Sequence, residues 1–118
     1  MDLLEEVAKI ARDLGLSFEK EESVRIHVDD VVIEVTPSDG GGKVAISIQL
    51  LPEGGSREDV ESVVKSFRKA LEIASMLESG ELTYEVDTSL PSYPYLYIVR
   101  SYSDASKLVE ELRKALSA

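Results

Sequence analysis

The sequence predicts an α+β protein: a five-stranded antiparallel sheet with helices on one face, in the order α-β-β-β-α-β-β-α. Three observations predict it. Apolar residues recur at helical spacing in three segments, they alternate at every second position in four others with a fifth short run apolar on both faces, and turn-forming residues separate the segments. A single antiparallel sheet, polar on one face and covered by helices on the other, buries all the apolar sets at once. No internal repeat, linker or low-complexity stretch divides the chain, so residues 1–118 read as one domain.

The first helix is "LLEEVAKIARDL", residues 3–14, with Leu3, Val7, Ile10, Ala11 and Leu14 on one stripe. Asp2 stands at its N-cap with Glu5 three residues on, and Gly15 stops it. In "ESVRIHV" the residues Val24, Ile26 and Val28 alternate with Ser23, Arg25 and His27. In "VVIEVTP" the apolar face is Val31, Ile33 and Val35. A two-residue turn at Asp29-Asp30 sets Val28 opposite Val31 and Ile26 opposite Ile33, so turn geometry and binary pattern agree. After "PSDGGGK", the strand "VAISIQLL" points Val44, Ile46, Ile48 and Leu50 inward. Burial is expected for Ile26, Val28, Ile33, Val35, Val44, Ile46 and Ile48, and exposure for Arg25, Glu34, Ser47 and Gln49.

"PEGGSRED" opens a long helix that Ser56 caps, with Asp59 at the capping-box position. Its apolar stripe is Val60, Val63, Val64, Phe67, Leu71, Ala74 and Leu77, and Phe67 and Leu71 are expected at the centre of the core. Gly80 ends it. "ELTYEVDT" is the fourth strand, with Leu82, Tyr84 and Val86 on one side, and "YPYLYIVRSY" is the fifth. Ser103 or Asp104 caps the last helix, in which Leu108, Val109, Leu112 and Leu116 are apolar.

A net charge of −10 disfavours phosphate backbones and anionic lipid, so neither nucleic acid nor membrane is an expected partner. The chain has no cysteine, which excludes thiol chemistry and disulfides. No apolar run approaches the ~20 residues of a spanning helix, and the amphipathic, acidic start is unlike a signal peptide. A cytoplasmic protein is expected. Asparagine is also absent and Gln49 is the only glutamine, a depletion that points to a thermophilic source.

Chemistry-bearing residues do not converge. "DGGGK", residues 39–43, is followed by a strand rather than the helix N-terminus a phosphate loop needs, so it reads as a hairpin turn. His27 is the only histidine and lies on the polar side of its strand, near Arg25 and Glu34. The acidic pairs Glu5-Glu6, Glu21-Glu22, Asp29-Asp30 and Glu110-Glu111 point in different directions on their elements and match no calcium-loop spacing. No catalytic, cofactor-binding or metal residue is assigned, and no cofactor is expected.

Four of the five tyrosines fall in "SYPYLYIVRSY": Tyr93, Tyr95, Tyr97 and Tyr102. As a strand, this segment points Tyr95, Tyr97 and Val99 one way and Leu96, Ile98 and Arg100 the other, so both faces are largely apolar. Either the strand is central and its second face is covered by a chain end or loop, or a partner covers the tyrosines. Tyr93, Tyr95, Tyr97 and Val99 are therefore the candidate protein-binding residues.

The element order resembles the type III secretion chaperone-like fold: "LLEEVAKIARDL", three strands ending at "ISIQLL", "REDVESVVKSFRKALEIASML", "LTYEVD" with "YLYIVR", then "SKLVEELRKAL". The resemblance covers nearly the whole chain and implies a non-catalytic homodimer that holds extended segments of a partner protein. A protein- or peptide-binding module, paired with itself or with another protein, is the leading expectation. A small-ligand binder or enzyme using Tyr84, Tyr95, Arg100 and His27 in a helix–sheet pocket is the alternative.

Overall fold

A computed structural model describes residues 1–50, 55–89 and 94–118. Helix α1 (Leu3–Asp13) leads into four strands, β1 (Ser17–Lys20), β2 (Val24–Val28), β3 (Val31–Ser38) and β4 (Gly41–Gln49). Helix α2 (Arg57–Met76), strands β5 (Glu81–Asp87) and β6 (Tyr95–Tyr102), and helix α3 (Ala105–Ser117) follow. The six strands form one antiparallel sheet in the order β1-β2-β3-β4-β6-β5.

The sheet has six strands, not the five expected, and the order is α-β-β-β-β-α-β-β-α. The additional strand is "SFEK". It carries one apolar residue and shows no alternation over a useful length, so pattern alone does not identify it. Pairing does: Phe18 lies opposite Ile26 and Lys20 opposite Val24. Phe18 packs against the core, and the Arg12 guanidinium lies 5.5 Å from the centre of its ring.

Local chemistry explains most of the element boundaries. The Asp2 carboxylate accepts a hydrogen bond from the Glu5 backbone N–H at the start of α1. Ser56 and Asp59 form a reciprocal capping box on α2, and Asp104 caps α3. The β2–β3 hairpin turns at Asp29-Asp30 in the expected register, Val28 opposite Val31 and Ile26 opposite Ile33, with Asp29 in the left-handed region at φ 54°. The β3–β4 turn is Asp39-Gly40, with Gly40 at φ 73°, and Gly41 and Gly42 open β4. A side chain at Gly41 would place its Cβ 1.9 Å from the Tyr102 carbonyl oxygen, so the start of β4 needs glycine for close approach.

All three helices pack on the same face of the sheet. Helix α1 covers β1 to β3, α3 covers β4 and β6, and α2 lies over β3, β4 and β6. The core between them contains Val7, Ile10, Val24, Ile26, Ile33, Val35, Val44, Ile46, Ile48, Ile98, Leu108 and Leu112. Val28 packs against it but is only half-buried, because it borders the hairpin end. On the outer face Arg25 is exposed, whereas Glu34, Ser47 and Gln49 are half-buried. Tyr97 lies opposite Ser47 and Tyr95 opposite Gln49, so large neighbours crowd the small ones.

The long helix turns a different side inward from the one expected. Its buried residues are Ala70, Ile73 and Ala74, with Leu77 at its end, whereas Leu71 is exposed and Phe67 half-buried. Small alanines let the helix sit close to the sheet, and the larger residues lie on its flank. Leu77→Ala should therefore lower stability by ~2–5 kcal/mol in urea denaturation, while Leu71→Ala should change it by less than ~1 kcal/mol.

Candidate protein-binding surfaces

The sheet ends asymmetrically. At one edge β1 is four residues long, and at the other β5 is seven. Among the described residues β5 pairs with β6 alone, and no helix packs closely over it. Its inner-face residues continue the core side of the sheet: Leu82 lies opposite Arg100, Tyr84 opposite Ile98 and Val86 opposite Leu96. They alternate as a buried face should, yet Tyr84 is 57% exposed, Val86 61% and Leu82 40%.

Helix α2 also exposes apolar residues. Lys65, Lys69 and Glu72 on one flank line a pocket together with Asp29 and Asp30 of the β2–β3 turn. At about 100° per residue, Val64, Phe67 and Leu71 fall on the opposite flank, the side away from that turn. Val63, Val64, Phe67, Arg68 and Leu71 line a shallow groove of about 320 Å³, and Val60 and Val64 are each roughly half exposed. The flank of α2 and the inner face of β5 thus both expose apolar side chains on the helix-bearing side of the sheet, and together they are termed the α2–β5 shelf. Isolated exposed apolar residues are ordinary, but a run of them on two adjacent elements marks an interaction surface.

A polar junction holds this arrangement. The Arg100 Nε donates to the Ala74 carbonyl at 3.0 Å and Nη1 donates to the Gly80 carbonyl at 2.9 Å, placing a cation at the C-terminal end of α2. Behind it, the buried Glu111 carboxylate of α3 accepts from the Ser79 backbone N–H at 2.9 Å, from the Ser79 hydroxyl, and from the Tyr102 hydroxyl at 2.7 Å. Burial raises the Glu111 pKa, but the bonds from Ser79 and Tyr102 outweigh it and hold the carboxyl below its ordinary range. Burial, and then the bond to Glu111, push the Tyr102 phenol well up. Gly80 fits between these groups; a Cβ there would lie 2.7 Å from the Tyr102 ring and 2.8 Å from the Arg100 Cβ.

The tyrosines separate. Tyr95 and Tyr97 lie on the outer face of β6, half-buried, with ring centres 6.4 Å apart. Burial, and then the charge of Asp87, raise the Tyr97 pKa. Val99 shares their face but is 2% exposed and offers a partner little area. Tyr102 is buried in the junction, and Tyr93 lies outside the described residues. β6 is an interior strand, which accounts for the apolar character of its inner face.

The groups of the alternative helix–sheet site do not meet. His27 bonds to Glu19 at 2.7 Å on the outer face of β2, rather than to Glu34, which pairs with Arg25 at 3.0 Å. Tyr95 is on the outer face of β6, Tyr84 and Arg100 on the inner face, and Arg100 is engaged by backbone carbonyls. Among the described residues no group of three or more His, Cys, Asp or Glu side chains could hold a metal ion. No described helix is long and apolar enough to cross a membrane.

Sequence reasoning missed the shelf and the junction for different reasons. The α2 stripe and the β5 alternation were both visible, but each looked like core. Glu111 did leave a signal: it stands in the Leu108, Leu112, Ala115 stripe of α3, where a carboxylate needs partners.

No protein-family model matches the chain, and no curated protein matches it significantly. Among solved structures it is similar to YbjN of E. coli, described as a candidate transcription regulator. The two share 15% identity over 96% of this chain and 87% of that one, with a TM-score of 0.49. YbjN has the type III secretion chaperone-like fold. A likeness this distant carries no functional argument.

The junction makes stability depend on pH at both ends. Glu111, with its pKa lowered on folding, stabilises the fold above about pH 4.3 and loses that contribution as the pH falls through its folded value. Tyr102, with its pKa raised, contributes fully below about pH 10 and loses its contribution above that. Urea midpoints measured from pH 9 to pH 11 should fall more steeply for the parent protein than for Tyr102→Phe. Between pH 5 and pH 3 they should fall more steeply for the parent than for Glu111→Gln.

Proposed function

We propose that this protein is a non-catalytic protein-binding module that covers its α2–β5 shelf with part of another protein chain. The observation that carries the reading is the exposure of Tyr84, Val86 and Val64 on two elements of the helix-bearing side of the sheet. These side chains present apolar area at ~25 cal/mol per Å² of favourable burial. The elements behind them are held by buried packing and by the Arg100 and Glu111 bonds, so the surface is preorganised and little ordering is needed on binding. The absence of convergent chemistry among Tyr84, Tyr95, Arg100 and His27 further supports binding over catalysis.

Selection from a displayed random-peptide library tests this reading. Enriched peptides should shift the backbone amide resonances of Val64, Leu71, Tyr84 and Val86, and should lose binding to the Val64→Asp/Tyr84→Asp variant. A library that yields no ligand, or ligands that map to other surfaces, overturns it.

The outer-face pair of Tyr95 and Tyr97 supports a second reading, a contact between two copies of the chain. Adjacent, half-buried rings offer large contact area at small side-chain entropy cost. If the pair joins two copies, sedimentation should show a dimer for the parent protein and a monomer for Tyr95→Glu/Tyr97→Glu. A parent protein that sediments as a monomer at every practical concentration removes this reading.

A further inference from the structure

Edge strands are usually shortened, bent or covered, because their free N–H and C=O groups pair readily with other chains. The β1 edge follows this rule, being four residues long, whereas β5 extends over seven residues and, among the described residues, no helix packs closely over it. Its two faces have opposite characters. Leu82, Tyr84 and Val86 point to the shelf, while Glu81, Glu85 and Asp87, with Thr83 among them, point to the outer face. Among the described residues neither Glu81 nor Glu85 belongs to an ion pair. The outer-face residues opposite them on β6 are Ser101 and Tyr97, and the one opposite Asp87 is Tyr95, so the strand beside them supplies no cation.

We propose that the free edge of β5 takes an extended segment of another protein in which apolar residues alternate with lysine or arginine, added as a further strand of the sheet. This rests on the shelf reading above and specifies its partner. In an added strand successive side chains alternate between faces. One set lies beside the exposed Leu82, Tyr84 and Val86 on the inner face of the sheet. The other lies beside Glu81, Glu85 and Asp87, where opposite charges favour pairing and like charges oppose it. Main-chain bonds supply affinity and the two faces supply specificity.

The same charges argue against a second copy of this chain at that edge. Two β5 strands paired antiparallel about a two-fold axis set outer-face residues against outer-face residues. Every extensive register then brings a carboxylate opposite a carboxylate, between copies that each carry a net charge of −10. The acidic face thus guards the edge against self-pairing while admitting a basic strand.

The test uses end-blocked heptapeptides with a fluorescent label, read by anisotropy. One alternates lysine and valine, one has the same composition in two blocks, and one alternates glutamate and valine. The alternating basic peptide should bind, should shift the amides of Glu81–Asp87, and should weaken as salt is added. Methylating the backbone nitrogens on the edge-facing side of that peptide should abolish binding. Glu81→Lys/Glu85→Lys should weaken it at least about tenfold, a loss of ~1.4 kcal/mol, with circular dichroism confirming the fold. If that variant fails to fold, Glu85→Gln should weaken binding in the same direction. Failure of the basic alternating peptide to bind, equal binding of the block or glutamate peptide, indifference to backbone methylation, or affinity unchanged by charge reversal each overturns the proposal. If library-selected peptides of another pattern still bind at Val64 and Tyr84, only the strand chemistry fails and the shelf reading stands.

Discussion

The junction of Arg100, Tyr102 and Glu111 is the constraint from which the rest of the architecture follows. Three elements and one turn meet there: the end of α2, the Ser79-Gly80 turn, β6 and α3. A buried carboxylate is costly unless its oxygens are satisfied, and here Ser79 and Tyr102 satisfy them. The guanidinium of Arg100 ends the helix by accepting the role that further turns of backbone N–H groups would have played. Past this point the Ser79-Gly80 turn leads directly into β5, which takes the far side of β6 at the sheet edge.

That placement also explains why apolar residues are left in contact with solvent. Helix α2 is anchored over β3, β4 and β6 through Ala70, Ile73, Ala74 and Leu77. Val64, Phe67 and Leu71 lie on the flank of that buried stripe and line an open groove. β5 has core-type alternation but, among the described residues, no helix packed over it. Both surfaces stay exposed while the core closes elsewhere, and no buried side-chain polar atom among the described residues lacks a partner.

The outer face shows the opposite economy of space. Charged and polar residues pair along it, Arg25 with Glu34 and His27 with Glu19, and Tyr95 and Tyr97 lie flat enough to be half-buried among small neighbours. Surface ion pairs of this kind add little to stability, at about 0–1 kcal/mol each. Their effect is to keep that face wet and the sheet one-sided, which leaves the helix-bearing side as the place where apolar area concentrates.

The sequence by itself determined the features that depend on near neighbours along the chain. The Asp29-Asp30 turn with alternating flanks set the β2–β3 register, because a slip of one residue would have turned Ile26 and Ile33 to water. Asp2, Ser56 with Asp59, and Asp104 marked the helix starts through bonds that span three residues or fewer. Tertiary structure alone decided what depends on distant partners. "SFEK" is a strand only because Val24–Val28 lies beside it, since four mostly polar residues carry no period of their own. The α2 stripe spans a wide arc, and periodicity reports that arc without saying which part of it meets the sheet. Ala70 and Leu71 are adjacent in sequence but about 100° apart on the helix, and the approach of the sheet chose the alanine. Strand order decided the rest: alternation in Leu82, Tyr84 and Val86 is the same in a covered strand as in an uncovered one, and only the absence of a helix above β5 makes it a surface.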